Sequence, residues 1–306
     1  MTATRSIVFS STRLAAVMLV LFCTAASVSA ATEAPASTSR LDFELGPRGH
    51  VLVPVSINGQ PGIFALDTAA SANVIHPRFA KKIGLDYSDS EEFLGQGAHH
   101  EIAVRPTRFD SMTVGGLSEK NVDAAVIDLS YVEGPDMQLD GLIGAPFLSK
   151  FDVTIDFDNR FVAFAAPRNR NGDDGHRFGL QHGALIYLDV IFNDQTITAV
   201  LDTGAGRSAI NFAAAEALGI NTADLPDSSH GHSASTMHQP AAAIPDVTLE
   251  LGDSSLSSKA HVGIVDLPVF ASLGLSDKPA MILGTNFLES RKLEIDYQNA
   301  MLYLDD

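Results

Sequence analysis

The sequence predicts an all-β protein built from two homologous lobes related by a pseudo-twofold axis, with only a few short helices. Three observations lead there. Two stretches repeat in register over most of the chain, and the apolar segments inside each repeat are short, with asparagine-led turns between them. Neither half shows the strand–helix alternation of a parallel sheet.

The repeat is legible position by position. Leu66-Asp67-Thr68-Ala69 is answered 135 residues later by Leu201-Asp202-Thr203-Gly204. Asn58 and Asn193 each lie nine residues before the aspartate, and Gly84 and Gly219 each follow it by seventeen. Further on, Val126-Ile127-Asp128-Leu129 answers Ile264-Val265-Asp266-Leu267. Leu142-Ile143-Gly144 answers Ile282-Leu283-Gly284, and the offset drifts only from 135 to 140. A few loop insertions account for that drift, so the chain divides into lobes at 41–166 and 180–306.

Taken in order, residues 1–30 read as a secretory signal peptide. Arg5 and Arg13 form a positive start, 14–22 is an uncharged apolar run, and Val28-Ser29-Ala30 offers small residues for a cut after Ala30. An uncleaved anchor is the competing reading, since 14–30 approaches the length of a membrane span. Residues 31–40 are a small-residue spacer read as disordered. The polar, glycine-rich stretch 167–179 falls where the repeat places a boundary and reads as the linker.

Within each lobe, 51–57 and 186–192 are strands that lead into turns at Asn58 and Asn193, and 63–66 and 197–201 return from them. Each return strand ends on its aspartate, which delivers the carboxylate from a rigid base. Helices follow over 77–83 and 212–218 and stop at Gly84 and Gly219. A second short helix is expected over 145–150 and again over 286–291. Residues 109–114 and 247–251 read as strands. The closing segments Ile155-Asp156-Phe157 and Ile295-Asp296-Tyr297 also pair, with both aspartates read as solvent-facing strand residues.

Composition narrows the chemistry. The only cysteine, Cys23, lies in the segment to be removed, so the mature chain holds no disulfide, thiol nucleophile or thiolate-bound zinc. Export without disulfides leans towards a bacterial periplasm. The net charge of −17, which loses two more positive charges with Arg5 and Arg13, argues against nucleic acid and anionic membranes as partners. No segment after the leader is apolar and long enough to cross a bilayer. No Gly-x-Ser-x-Gly elbow supports a serine hydrolase around Ser71 or Ser208.

Two aspartates brought together across a twofold axis cannot both ionise at moderate pH, so they share a proton. The ionised member can activate water while the protonated one acidifies a carbonyl oxygen. At this point residues 65–75, residues 200–210 and the two apolar-apolar-Gly motifs resemble the aspartic peptidases of the retropepsin and pepsin type. The likeness runs from about Leu41 to Leu304. It implies two retropepsin-like β-barrel lobes, with Asp67 and Asp202 as the catalytic dyad. Thr68 and Thr203 would lock the two loops together. Ala69 and Gly204 would mark the close backbone approach to each carboxylate, and Gly144 and Gly284 would thread beside the loops. Ala69 departs from the family's glycine and lacks glycine's freedom at positive φ.

The resemblance places flaps at 93–100 and 229–238, with Gly95, Gly97 and Gly231 as hinge candidates and no tyrosine in either segment. Five of the ten histidines fall there. Lacking a carboxylate at ligand-like spacing, they read as exposed loop histidines, so neither metal nor cofactor is expected. The expectation is an exported, monomeric aspartic endopeptidase with a peptide or protein substrate, its internal pseudo-dimer replacing a homodimer. The alternatives are a peptide-binding module without turnover, motivated by Ala69 and the mismatched flaps, and halves that pair between chains.

Overall fold

The computed structural model describes residues 39–133, 137–168, 175–225 and 242–305. The leader, most of the spacer, the middle of the linker (169–174) and the second flap segment with Gly231 lie outside the described residues. Ser39 and Arg40, expected at the end of the spacer, instead begin a strand, Ser39–Asp42, because they pair with Phe164 and Ala163.

Each lobe is a curved sheet wrapped round a hydrophobic core. In the N-terminal lobe the hairpin Val51–Ile57/Gln60–Leu66 turns at Asn58 (φ 50°) and Gly59 (φ 78°). In the C-terminal lobe Leu185–Phe192/Gln195–Leu201 turns at Asn193 (φ 47°) and Asp194 (φ 63°). Two successive positive φ values give the turn whose twist matches the flanking strands, and asparagine, aspartate and glycine tolerate them best. The return strand of each hairpin pairs in parallel with the apolar-apolar-Gly strand, Gly141–Ile143 in one lobe and Ala280–Leu283 in the other. The N-terminal sheet curls until Val55 to Ile57 pair with Val114 to Met112, which brings its outer strands together.

The helices sit where the glycine stops place them. Pro77–Lys82 is capped by His76, whose ring accepts from the Arg78 amide, and Phe212–Ala217 by Asn211, which accepts from Ala214. Gly84 (φ 65°) and Gly219 (φ 78°) follow them in the left-handed region. Ala145–Leu148 is a single helical turn set by Pro146 near its start. Its expected counterpart over 286–291 is only a 3-10 turn, Thr285–Phe287. There Asn286 is held by side chains instead, accepting from Ser208 Oγ at 2.8 Å and donating to Ser258 Oγ at 3.0 Å.

A third sheet, of six strands, fastens the lobes. Asp152–Asp156 of the first lobe pairs antiparallel with Lys292–Asp296 of the second, and the register centres on Thr154 opposite Glu294, which occupy equivalent places in the repeats. The pseudo-twofold axis therefore passes between these strands. Outside them Phe161–Ala165 and Ser39–Asp42 on one flank mirror Met301–Asp305 and His176–Arg177 on the other. The rings beneath are mirrored as well: Phe43 meets Phe157 edge-on at 5.8 Å, and Phe178 meets Tyr297 at 6.2 Å.

Asp156 and Asp296, expected to face solvent, are buried at 5% and 0% exposure. Each closes the turn that follows it. Asp156 accepts from the backbone and side chain of Asn159 at 2.8 and 2.9 Å, and Asp296 from those of Asn299 at 2.9 and 2.7 Å. Burial works against the Asp156 charge, yet these bonds outweigh it and hold the carboxyl below its usual range. Their duty is structural.

Candidate active site

Each strand-to-loop junction is built the same way. The Asp67 amide donates to Ile143 O at 2.9 Å, and the Asp202 amide to Leu283 O at 2.9 Å. Two residues on, the chain folds back, and Ala69 N–H donates to Asp67 Oδ1 at 2.9 Å as Gly204 N–H does to Asp202 Oδ1 at 2.9 Å. The carboxylates are thereby fixed against their own backbone.

Gly144 and Gly284 buttress the loops from behind. A Cβ on Gly144 would lie 2.7 Å from Ala70 O, and one on Gly284 2.6 Å from Ala205 O, so only glycine fits. Their amides are held by buried side chains at equivalent positions, Asn73 Oδ1 at 3.1 Å and Ser208 Oγ at 2.9 Å. Ser208 is thus a bracing hydroxyl.

Across the axis the loops exchange hydrogen bonds through the two threonines, both 0% exposed. Thr68 Oγ1 donates to Leu201 O at 2.7 Å and accepts from Thr203 N at 3.1 Å. Thr203 Oγ1 donates to Leu66 O at 2.8 Å and accepts from Thr68 N at 3.1 Å. These crossed bonds hold the two aspartate loops against each other across the axis. An ideal Cβ on Gly204 would sit 2.5 Å from Cγ of Asp67, so the carboxylate of one lobe rests on the backbone of the other.

Burial decides the electrostatics. It pushes the Asp67 carboxyl up to about 6, against the opposing bonds from the Ala69 and Ala70 amides. Burial, followed by the charge of Asp67, raises Asp202 well above the usual carboxylate range. Both shifts favour a proton held on the pair.

Ala69 and Gly204 both lie outside the positive-φ region. The expected cost of alanine at 69 does not arise, since the backbone there never asks for glycine's freedom. Glycine is demanded at 204 for space, because the Asp67 carboxylate occupies the room of a Cβ. Gly204→Ala is accordingly expected to remove most activity by displacing Asp67. Ala69→Gly should leave activity within a few-fold and cost roughly 0.5–1 kcal/mol of stability through chain entropy. Paired cleavage assays and thermal melts of the two variants check this.

The first expected flap segment forms a hairpin of Phe93–Gln96 with the start of Glu101–Val114. Gly97 N donates to His100 O at 2.9 Å to close its turn. Gly95 lies in its first strand and Gly97 in the turn. That first strand also approaches Pro268–Ser272, a helix of the other lobe. The hairpin itself holds no tyrosine, but one packs against it. Tyr131, from the segment after Leu117–Val126, meets the His100 ring edge-on at 5.0 Å. Burial first, then the charges of Asp67 and Asp128, push its phenol up to about 12. Sequence reasoning missed Tyr131, which lies outside every repeated motif.

Among the described residues, no three His, Cys, Asp or Glu side chains cluster to hold a metal ion, and no helix is long and apolar enough to cross a membrane. The flap histidines His230, His232 and His238 lie outside the described residues.

Comparison with known proteins follows the same two-lobe division. A family model described as "Aspartyl protease" matches residues 53–147 and again 188–287, one match in each lobe. The chain is also similar to the crystal structure of a retropepsin-like aspartic protease from Rickettsia conorii, with 20% identity and a TM-score of 0.32. That similarity covers 42% of this chain and 91% of the other. A search of curated proteins gives no match.

Proposed function

The chain belongs to the aspartyl protease family, and we propose that it is an exported endopeptidase whose single active site uses Asp67 and Asp202 as one dyad. The observation that carries the reading is the pair of half-buried aspartates, equivalent in the two repeats, whose carboxyls are both raised where the lobes meet.

In this mechanism a water molecule lies between the two carboxyls. The ionised member takes a proton from the water as its oxygen attacks the peptide carbonyl carbon. The protonated member meanwhile gives its proton to the carbonyl oxygen. The tetrahedral diol then collapses, the C–N bond breaks, and a proton passes to the leaving nitrogen. The amides of Ala69 and Gly204 keep each carboxylate oriented. The flap hairpin would cover the substrate and exclude bulk water. Ala69 makes the same hydrogen bond to its aspartate as Gly204 does, so it gives no support to a binding module without turnover.

The test is hydrolysis of an unfolded protein such as casein by the mature chain, whose N-terminus is expected at Ala31. A statine-type transition-state analogue should block it. The pH profile adds a sharper check. Protonating Asp67 removes the base, so activity should fall as pH drops below about 6 and peak nearer neutrality than a strongly acidic optimum. An acid limb of kcat/KM near an ordinary carboxylate pKa would overturn the dyad assignment.

A further inference from the structure

Beside Tyr131, beneath the flap hairpin, lies a cavity of about 580 Å3, within the size range of sites that bind small groups. Its apolar walls include Ile102, Val126 and Tyr131, and its charged lining consists of Glu92, Glu101, Asp128 and Arg105. The charges do not cancel. Arg105 is committed, with Nε donating to Glu92 Oε2 at 3.1 Å and Nη1 to Ser90 O at 3.0 Å. Glu92 and Arg105 therefore neutralise each other.

Asp128 Oδ1 accepts from the Ser130 amide and hydroxyl at 2.9 and 2.5 Å and lies beside the His76 ring, and the nearest guanidinium, Arg78, is 3.2 Å from His76 Nε2. The His76 ring, 3.3 Å from Asp128 Oδ1, spends Nδ1 accepting the Arg78 amide, and so offers Asp128 a proton on Nε2. Burial and then the charge of Arg78 oppose protonation of that ring. Arg78 itself is turned to Glu133 through Nη1 and Nη2. The same tautomer rules out a relay in which His76 takes a proton from Ser130, despite the closeness of His76, Asp128 and Ser130. Glu101 and Asp128 are left as two negative charges in the lining of a mixed polar and apolar cavity, whose Tyr131 feels the charge of Asp67.

We infer that this cavity selects a lysine or arginine side chain of the substrate, its aliphatic stem against Ile102, Val126 and Tyr131 and its cation towards Glu101 and Asp128. The inference rests on the peptidase reading and names the substrate class of that site. A long side chain with an apolar stem and a charged head matches walls of this kind. An acidic side chain there would meet like charge. The net charge of −17 draws cationic peptides in the same direction.

The test uses the full mature chain carrying Asp202→Asn, so that peptides bind without being cut. A peptide series with Lys, Arg, Leu or Glu placed at each position in turn is titrated by fluorescence anisotropy. One position should favour Lys or Arg over Leu by about tenfold, the worth of a charge-assisted contact. In Glu101→Gln/Asp128→Asn on the same background that ratio should fall to about one. Because the ratio is read within each protein, a partial loss of folded material does not alter it. Equal binding of Lys and Leu at every position, a preference that survives the double change, or no peptide binding at all would overturn the inference. Cleavage by the unmodified chain is scored separately. Binding with the cationic preference but no cleavage would sink the peptidase reading and leave the cavity's selectivity standing.

Discussion

Replacing either Asp67 or Asp202 with asparagine should lower kcat/KM by at least about a thousandfold, the upper range for removing a general acid or base. The two single losses should not add, because one proton is shared and half a dyad is no dyad. The same substitutions should raise stability at neutral pH. A half-buried carboxyl held at about 6 rather than 3.8 favours the protonated form in the folded state. Stability from such a group is fully present below the unfolded pKa and is lost as pH rises through the folded one. For Asp67 that loss is on the order of 2–3 kcal/mol by pH 7 to 8. An asparagine never ionises, so Asp67→Asn should melt higher than the unmodified chain at about pH 8, and the gap should close towards about pH 3.5. Thermal melts across that range, read beside cleavage assays, test both halves. A variant that is inactive and less stable at every pH would mean that the carboxylate holds the loop together rather than sitting there under strain.

How much of this was legible beforehand follows from what a repeat can and cannot report. The equivalence of Asp67 with Asp202, and of Gly144 with Gly284, is written in register, so the fold class and both junctions could be read directly. Tyr131 could not. Its counterpart by the local register is Val269, and a residue present in one lobe alone leaves no trace in a comparison of the two. The repeat also concealed that strands 152–156 and 292–296 pair with each other, since alternation identifies a strand but not its partner. Asp156 and Asp296 were misread for that reason, although the asparagine three residues after each was a turn signal already in view. Ala69 was misjudged differently: the pattern gives residue type, whereas the demand at position 204 is for empty space beside a side chain of the other lobe.

Thr68→Val should cost roughly 2–5 kcal/mol, because it removes two buried hydrogen bonds and puts nothing in their place. Leu201 O loses its donor and the Thr203 amide its acceptor, both at positions shut off from water. Thr203→Val should do the mirror-image damage to Leu66 O and the Thr68 amide. Valine keeps the shape of threonine, so the loss measures the hydroxyl rather than a cavity. Thr68→Ser, which keeps the hydroxyl, should stay within about 1 kcal/mol of the unmodified chain. The lobes should nevertheless remain joined. The pairing of Asp152–Asp156 with Lys292–Asp296, and the core beneath that sheet, do not pass through the threonines. What slackens is the position of the two aspartates relative to each other, so kcat should fall more than KM rises, since a misplaced dyad loses transition-state contacts first. Denaturant melts with an unchanged m-value and a lowered midpoint would show that the folded surface is retained while the lock is lost. If Thr68→Val and Thr68→Ser proved equally stable and equally active, the crossed hydroxyls would be passengers, and the placing of Asp67 and Asp202 would have to be credited to the six-stranded sheet alone.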